Sequence, residues 1–202
     1  GCEQFEQTNF LPVTQLRGQI SLLSASEASE GLKTVICGEG YITPTHNGTH
    51  NCGATYNKAV FTTSLREEDH RANVEQMSAT DSGLGVALGA QDTGDMDGRA
   101  NYRCTTKDYL PIVGPVPYLP SLLEDYDVLR RDARKLVSTL GSYQPNLFVH
   151  CGMGSRGLCY APLTAEILAA EIAGEVPPLE RELRLAMHPA RFLIRDLKKK
   201  RI

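Results

Sequence analysis

A chain of 202 residues with 41% hydrophobic and 22% charged side chains can bury a sizeable core, which excludes wholesale disorder. Its net charge of −3 at pH 7 singles out no class of partner. No run approaches the roughly 20 apolar residues of a membrane span, and the amino terminus lacks a basic region followed by an apolar stretch, so a soluble cytoplasmic protein is expected.

In chain order, GCEQFEQTNFLP opens without methionine and runs straight into what reads as mid-domain sequence, as a fragment would. Residues 15–23 alternate and are rich in strand formers, and 33–45 read as two short strands joined at Cys37-Gly38-Glu39-Gly40. Residues 50–63 read as a further strand region, completing an antiparallel meander. Residues 64–80 carry helical spacing, with Ser64 as the expected cap and Glu67 three positions on. A polar, glycine-rich span covers 81–99. Pro111, Pro115, Pro117 and Pro120 bar helix from the strand, turn and loop that follow. Residues 121–140 fit a helix or an ordered loop, and 146–151 a compact apolar strand. A helix then runs through Ala173 to a stop at Gly174 and Pro177, and a last helix occupies 189–200.

Six cysteines (Cys2, Cys37, Cys52, Cys104, Cys151 and Cys159) are scattered without CxxC pairs and, with no export signal, are expected as thiols. The segment HNGTHNC raises a zinc reading through His46, His50 and Cys52, with Cys37 as a fourth ligand. Cys37 has no partner in its own arm and GYITPT between them reads as strand, so no metal is expected. Residues 188–202 place Arg191, Arg195, Lys198, Lys199, Lys200 and Arg201 against Asp196 alone, a net +5 that suits either a solvated helix end or contact with phosphates.

The richest motif is HCGMGSRGLCYAPLTAEILAAEIAG, residues 150–174, with Gly152, Gly154 and Gly157 at the mouth of an alanine-rich helix. Free amides at a helix start, carrying about half a positive charge, suit an anion or an electron-rich ring edge, and glycines let it come close. A tight strand-to-helix connection without a ligand is the other reading.

Taken together, LPVTQLRGQI, GYITP, GATY, YRCTTKDYLPIVGPVP and GMGSRGLCYAPLTAEILA resemble, in order and spacing, the FAD-dependent amine oxidase superfamily that includes glycine oxidase and D-amino acid oxidase. GSRGL through AMHPARFLIRDL is most similar to the carboxyl-terminal oxidoreductase module of a family of bifunctional tRNA-modifying enzymes. The resemblance covers essentially the whole chain. It implies an α+β fold: an antiparallel or mixed substrate-binding sheet with flanking helices, plus the last strand and helix of a FAD-binding domain. Residues 1–14 then close the FAD-binding half and cross over, 15–103 form the substrate sheet, and 104–202 return to the FAD-binding half.

The Rossmann segment and methyltransferase domain of those enzymes do not precede Gly1, so the chain alone is expected to bind FAD weakly or not at all and to be inactive. The implied reaction is oxidative removal of the carboxymethyl group from 5-carboxymethylaminomethyl(-2-thio)uridine at the tRNA wobble position, giving aminomethyluridine and glyoxylate. A small-molecule amine oxidase and a non-catalytic RNA-binding module stand as alternatives. By resemblance Arg103 pairs with the substrate carboxylate, though a surface ion pair with Asp108 would use the same residue types. Arg17, Gly18 and Gln19 resemble the RGQ beneath the flavin, with Gly18 letting the ring approach. Gly152, Gly154, Ser155, Arg156, Gly157 and Leu158 resemble the turn at its pyrimidine edge. Tyr41 and Tyr56 line the pocket or the core, and the basic tail meets tRNA phosphates.

Overall fold

The computed structural model describes residues 1–138 and 141–202, so part of the expectation for 121–140 lies outside the described residues. The chain divides into two compact units, Gln15–Arg103 on one hand and Gly1–Thr14 with Cys104–Ile202 on the other. The fold is mixed α and β on antiparallel sheets, as the α+β reading expects.

In the Gln15–Arg103 unit, five strands form one sheet: β1 (Val13–Ser24), β2 (Ile36–Cys37), β3 (Tyr41–Ile42), β4 (Thr49–Gly53) and β5 (Gly98–Thr106), in the order β2-β3-β4-β1-β5. β1 and β4 pair antiparallel from Ile20 opposite Gly53 to Ser24 opposite Thr49. The turn into β4 is Asn47-Gly48, both at positive φ (51° and 76°), the backbone that a two-residue hairpin demands. β4 is shorter than the expected 50–63. Beyond Gly53 the chain follows β1 irregularly, bridging Asn57 to Arg17, and the carbonyls of Thr62 and Ser64 turn to the Arg17 side chain instead of a ladder.

Helix α1 (Glu67–Thr80) starts two residues later than a Ser64 cap would place it, with Arg66 at the cap position. Ser64 does not cap it. Its entry is held by Gln19, whose Oε1 accepts the Arg66 amide at 3.0 Å and whose Nε2 donates to the Arg66 carbonyl at 2.8 Å. The glycine-rich span conceals a helix, α2 (Ser82–Leu88), capped by the Asp81 carboxylate on the Leu84 amide at 2.9 Å. Gly85 looks like a loop residue in sequence, yet a Cβ there would lie 2.9 Å from Cβ of Ser78, so its bareness lets α1 and α2 touch. Leu23, Ile42, Cys52, Val74, Met77, Leu88 and Met96 close the core of this unit.

In the second unit, β6 (Ile112–Pro117) pairs antiparallel with β7 (Tyr143–Cys151), from Ile112 opposite Cys151. Pro120 does not bar helix: it stands in the first turn of α3 (Leu119–Asp125), where a missing N–H costs nothing. α4 (Gly157–Ala173) ends on Gly174 at φ 71°, the left-handed stop that the sequence predicts. α5 (Arg181–Met187) is an element the sequence reading did not anticipate, and α6 (Arg191–Lys198) lies inside the expected last helix. Leu11, Ile112, Val116, Val149 and Phe192 form the core here.

Candidate functional site

Each unit holds part of the chemistry that the sequence singled out. In Gln15–Arg103, Arg103 on β5 is half-buried. Its Nη1 donates to the Thr55 carbonyl at 3.2 Å, and its Cζ lies 4.6 Å from the centroid of the Tyr56 ring. Nε and Nη2 have no hydrogen-bond partner and no carboxylate lies within ion-pair distance among the described residues. Asp108, the expected alternative partner, is taken by Arg191.

The glycine in RGQ serves this arginine. A Cβ on Gly18 would fall 1.6 Å from Arg103 Nη1 and 2.3 Å from Cζ, so the space that a side chain would fill holds the guanidinium. Tyr41, half-buried, is near enough for its phenol to feel the Arg103 charge: burial pushes its pKa up against that charge's lowering pull, so it stays a neutral hydroxyl. Tyr56 is exposed, offering its face to Arg103 rather than joining the core.

Arg17 and Gln19, expected beneath the flavin, belong to a buried polar network. Arg17 is fully buried: Nε donates to Thr62 O at 2.6 Å, Nη1 to Asp69 Oδ2 at 2.5 Å, and Nη2 to Gln19 Oε1 at 3.0 Å and Ser64 O at 2.6 Å. Gln19 spans from that guanidinium to Arg66. Asn73 then donates to Gln19 O and Ser21 Oγ, and Ser21 Oγ meets His70 Nδ1 at 2.8 Å. A buried charge survives only when well paired, and this network ties β1 to α1 with the side chains of Arg17 and Gln19 fully enclosed.

Residues of the zinc reading lie in the same unit. Both ring nitrogens of buried His50 are engaged, Nδ1 with Thr43 O at 2.8 Å and Nε2 with Ser29 Oγ at 2.9 Å. Cys52 is buried and donates to Asn73 O at 3.2 Å.

In the other unit the strand β7 delivers the chain into the turn 152–157. Gly152 and Gly154 sit at φ 74° and 58°, which L side chains rarely adopt. The Gly154 amide is fixed by the Cys104 carbonyl at 2.9 Å and that of Arg156 by Met153 O at 3.2 Å. Among the described residues the amides of Ser155, Gly157 and Leu158 have no hydrogen-bond partner, and α4 has no side-chain cap. Ser155, Arg156 and Leu158 are exposed, Leu158 at 96%. The mouth of this 17-residue helix is therefore an open row of donors at the positive end of its dipole.

Of the basic tail, Lys198, Lys199 and Lys200 are exposed. Arg191 is not free for phosphate: its Nε and Nη2 clasp Asp108 at 3.0 and 2.9 Å and Nη2 also donates to Leu110 O. Arg201 lies 3.5 Å from Asp196, and Arg195 stacks on Phe192 at 4.8 Å. Arg191, Arg195, Lys198 and Lys199 line, with Leu185, His188 and Ile194, a cleft of about 410 Å³.

A group that the sequence gave no sign of lies behind the glycine turn. The sulfurs of Cys2, Cys104 and Cys151 lie within 4.8 Å of one another, with Cys151 and Cys2 at 3.9 Å. The Cys104 thiol is pulled down to about 6 by the hydrogen bond from Cys151, then helped by the Gly152 amide against burial; the same Cys104 contact and burial push Cys151 up. Separations of 102 and 47 positions leave no spacing motif by which to find them.

A family model described as FAD dependent oxidoreductase (DAO) matches residues 2–171. The chain belongs to that family. It is similar to two tRNA 5-methylaminomethyl-2-thiouridine biosynthesis bifunctional proteins MnmC. With that of Chromobacterium violaceum it is 40% identical over 199 residues, 98% of this chain and 30% of the relative; with that of Saccharophagus degradans, 41% over 201 residues, 100% and 28%. The chain thus spans less than a third of the length of these relatives. Among solved structures, glycine oxidase from Geobacillus kaustophilus matches with TM-score 0.59 at 17% identity, over 86% of this chain and 39% of that one. Iminodiacetate oxidase from Chelativorans sp. BNC1 matches with TM-score 0.59 at 18% identity over the same shares, and both share the fold. Among the described residues no helix is long and apolar enough to cross a membrane.

For the FAD dependent oxidoreductase family, the unpaired amides of the glycine turn fit one edge of a flavin ring, where negative charge grows on reduction. The turn does not fit the diphosphate half of the cofactor, because β7 enters it from an antiparallel pair with β6 and not from a parallel βαβ unit.

Proposed function

We propose that this chain supplies the substrate-binding part and the ring-edge turn of an oxidoreductase acting on the tRNA wobble uridine, removing the carboxymethyl group of 5-carboxymethylaminomethyl(-2-thio)uridine as glyoxylate. The observation that carries the reading is Arg103. Its guanidinium is positioned by Gly18, Thr55 and Tyr56, and it keeps Nε and Nη2 unpaired, the fork that a carboxylate takes in two parallel bonds.

FAD, when bound, supplies the two-electron sink for the glycine-like methylene. The chain's own residues do the rest. Arg103 holds the carboxylate and so orients the methylene carbon. Tyr41, kept neutral, offers a hydroxyl donor or acceptor beside the same charge. The amides of Ser155, Gly157 and Leu158 and the Arg156 charge would stabilise an electron-rich ring edge. Lys198, Lys199 and Lys200 give a sequence-independent hold on RNA phosphates.

The test replaces the matching segment of the Chromobacterium violaceum relative with this chain and follows glyoxylate release from tRNA carrying the modified uridine. Arg103→Ala in that chimera should lower turnover by about 100-fold or more, since hydrogen bonds to charged groups each contribute about 1.5–3 kcal/mol, with flavin content retained. Turnover of free glycine in preference to tRNA would assign a small-molecule oxidase instead, and unchanged turnover in Arg103→Ala would remove Arg103 from the site.

A further inference from the structure

Three thiols meeting at one point need a reason. Cys2 comes from the short 3₁₀ turn Cys2–Gln4, Cys104 from β5 and Cys151 from the end of β7, so three separate segments converge on one spot. All three are half-buried and none is in a disulfide.

We propose that Cys2, Cys104 and Cys151 form a tri-thiolate site for a single thiophilic d10 cation, Zn²⁺ or Cu⁺. Metal–sulfur bonds of about 2.3 Å place three sulfurs on a triangle with edges of about 3.8 Å in a tetrahedral face and about 4.0 Å in a trigonal plane. The Cys2–Cys151 edge, 3.9 Å, already has that length, and every edge lies within 4.8 Å. A disulfide fits less well. It would draw one pair together to about 2.05 Å and leave the third thiol over. Three soft ligands from the protein leave a fourth position for water or a small ligand, and the partial exposure of the group gives the ion a way in.

The site also has outer support. The Gly152 amide lies beside the Cys104 sulfur, and the Cys104 carbonyl holds the Gly154 amide at 2.9 Å. A bound ion thus fastens Cys2 and Cys104 to the base of the glycine turn at Cys151. It does so whether or not the turn receives flavin.

The experiment uses the reduced, metal-stripped 202-residue chain. Titration with Co²⁺ should give the visible spectrum of tetrahedral thiolate coordination, saturating at one equivalent and displaced by Zn²⁺; an anaerobic Cu⁺ titration against a coloured chelator tells which ion is preferred. Cys2→Ser, Cys104→Ser and Cys151→Ser should each weaken uptake by about 100-fold or more, while Cys37→Ser and Cys159→Ser leave it unchanged. Should a variant fail to fold, mass-mapped alkylation of the wild-type chain decides: the metal should shield Cys2, Cys104 and Cys151 and spare the labelling of Cys37 and Cys159. Uptake of neither ion, uptake indifferent to the three serine variants, or labelling of the three unaltered by metal would overturn the site.

Discussion

Arg103 sits in the void left by the missing side chain of Gly18: a Cβ built on that glycine lies 1.6 Å from Nη1. The obstructed atom is the far end of a flexible side chain, so Gly18→Ala should displace the guanidinium rather than unfold the sheet. In the chimera the expected outcome is a rise of about tenfold or more in KM for the modified tRNA, with Tm moved by only a few degrees; retained KM would mean that the seat of Arg103 does not matter to substrate.

Arg17 and Asp69 form an almost wholly enclosed pair, with side chains 0% and 9% exposed. Arg17→Met strands a buried carboxylate and should cost about 3–5 kcal/mol in urea unfolding. Arg17→Met combined with Asp69→Leu should regain a large part of that loss. A cofactor role for Arg17 would show the reverse: normal stability with flavin affinity lost.

The neutral ring of His188 is built into its fold, since Nδ1 accepts the Ala190 amide at 3.1 Å. Burial, then the nearby Arg191 charge, lower its pKa to about 4, against about 6.5 in the unfolded chain. Between those values the unfolded chain takes up a proton that the folded chain refuses, so stability falls as pH drops from about 6.5 to about 4, by an amount on the order of 3 kcal/mol. Asp108, whose carboxyl is lowered by Arg191 in spite of burial, adds a further loss at lower pH as it is protonated through its folded pKa. His188→Gln should flatten the first part of a plot of unfolding free energy against pH and leave the second.

Gly154 and Gly174 have similar left-handed backbones, φ 58° and 71°, with an open site for a Cβ at Gly174 and only an ordinary 3.7 Å contact at Gly154. Alanine should cost about 1–2 kcal/mol at either. In the chimera only Gly154→Ala should also lower flavin content or shift its reduction potential. Equal flavin in the two variants would take the turn away from the ring.

Lys198, Lys199 and Lys200 are exposed, as is Arg201, which lies 3.5 Å from Asp196. Changing all three to alanine should reduce the slope of log affinity for tRNA against log salt by about two to three, with no preference among tRNA sequences. Arg191→Lys should leave that slope alone and instead lower stability, because Arg191 is clasped by Asp108.

The glycine turn, the helix that it opens and its stop at Gly174 were legible in the sequence, because strand, turn and helix there follow one another along the chain and each is written in local residue types. The β2–β3 hairpin was legible for the same reason. Helix α2 was not, since Gly83, Gly85 and Gly89 signal loop locally while Gly85 answers to Ser78 on the neighbouring helix. Ser64, Arg17, Gln19 and Arg191 have plausible local readings that were replaced by partners 47, 52, 47 and 83 positions away.

By itself, then, the sequence determined the class of fold, the family resemblance and the turn, all of which rest on order and spacing along the chain. Only the tertiary structure decided which arginine is left with open donors, what Gly18 makes room for, and that Cys2, Cys104 and Cys151 share one point. Burial obliges charged groups to find partners wherever the folded chain brings them, and that choice is made across space, where no sequence spacing records it.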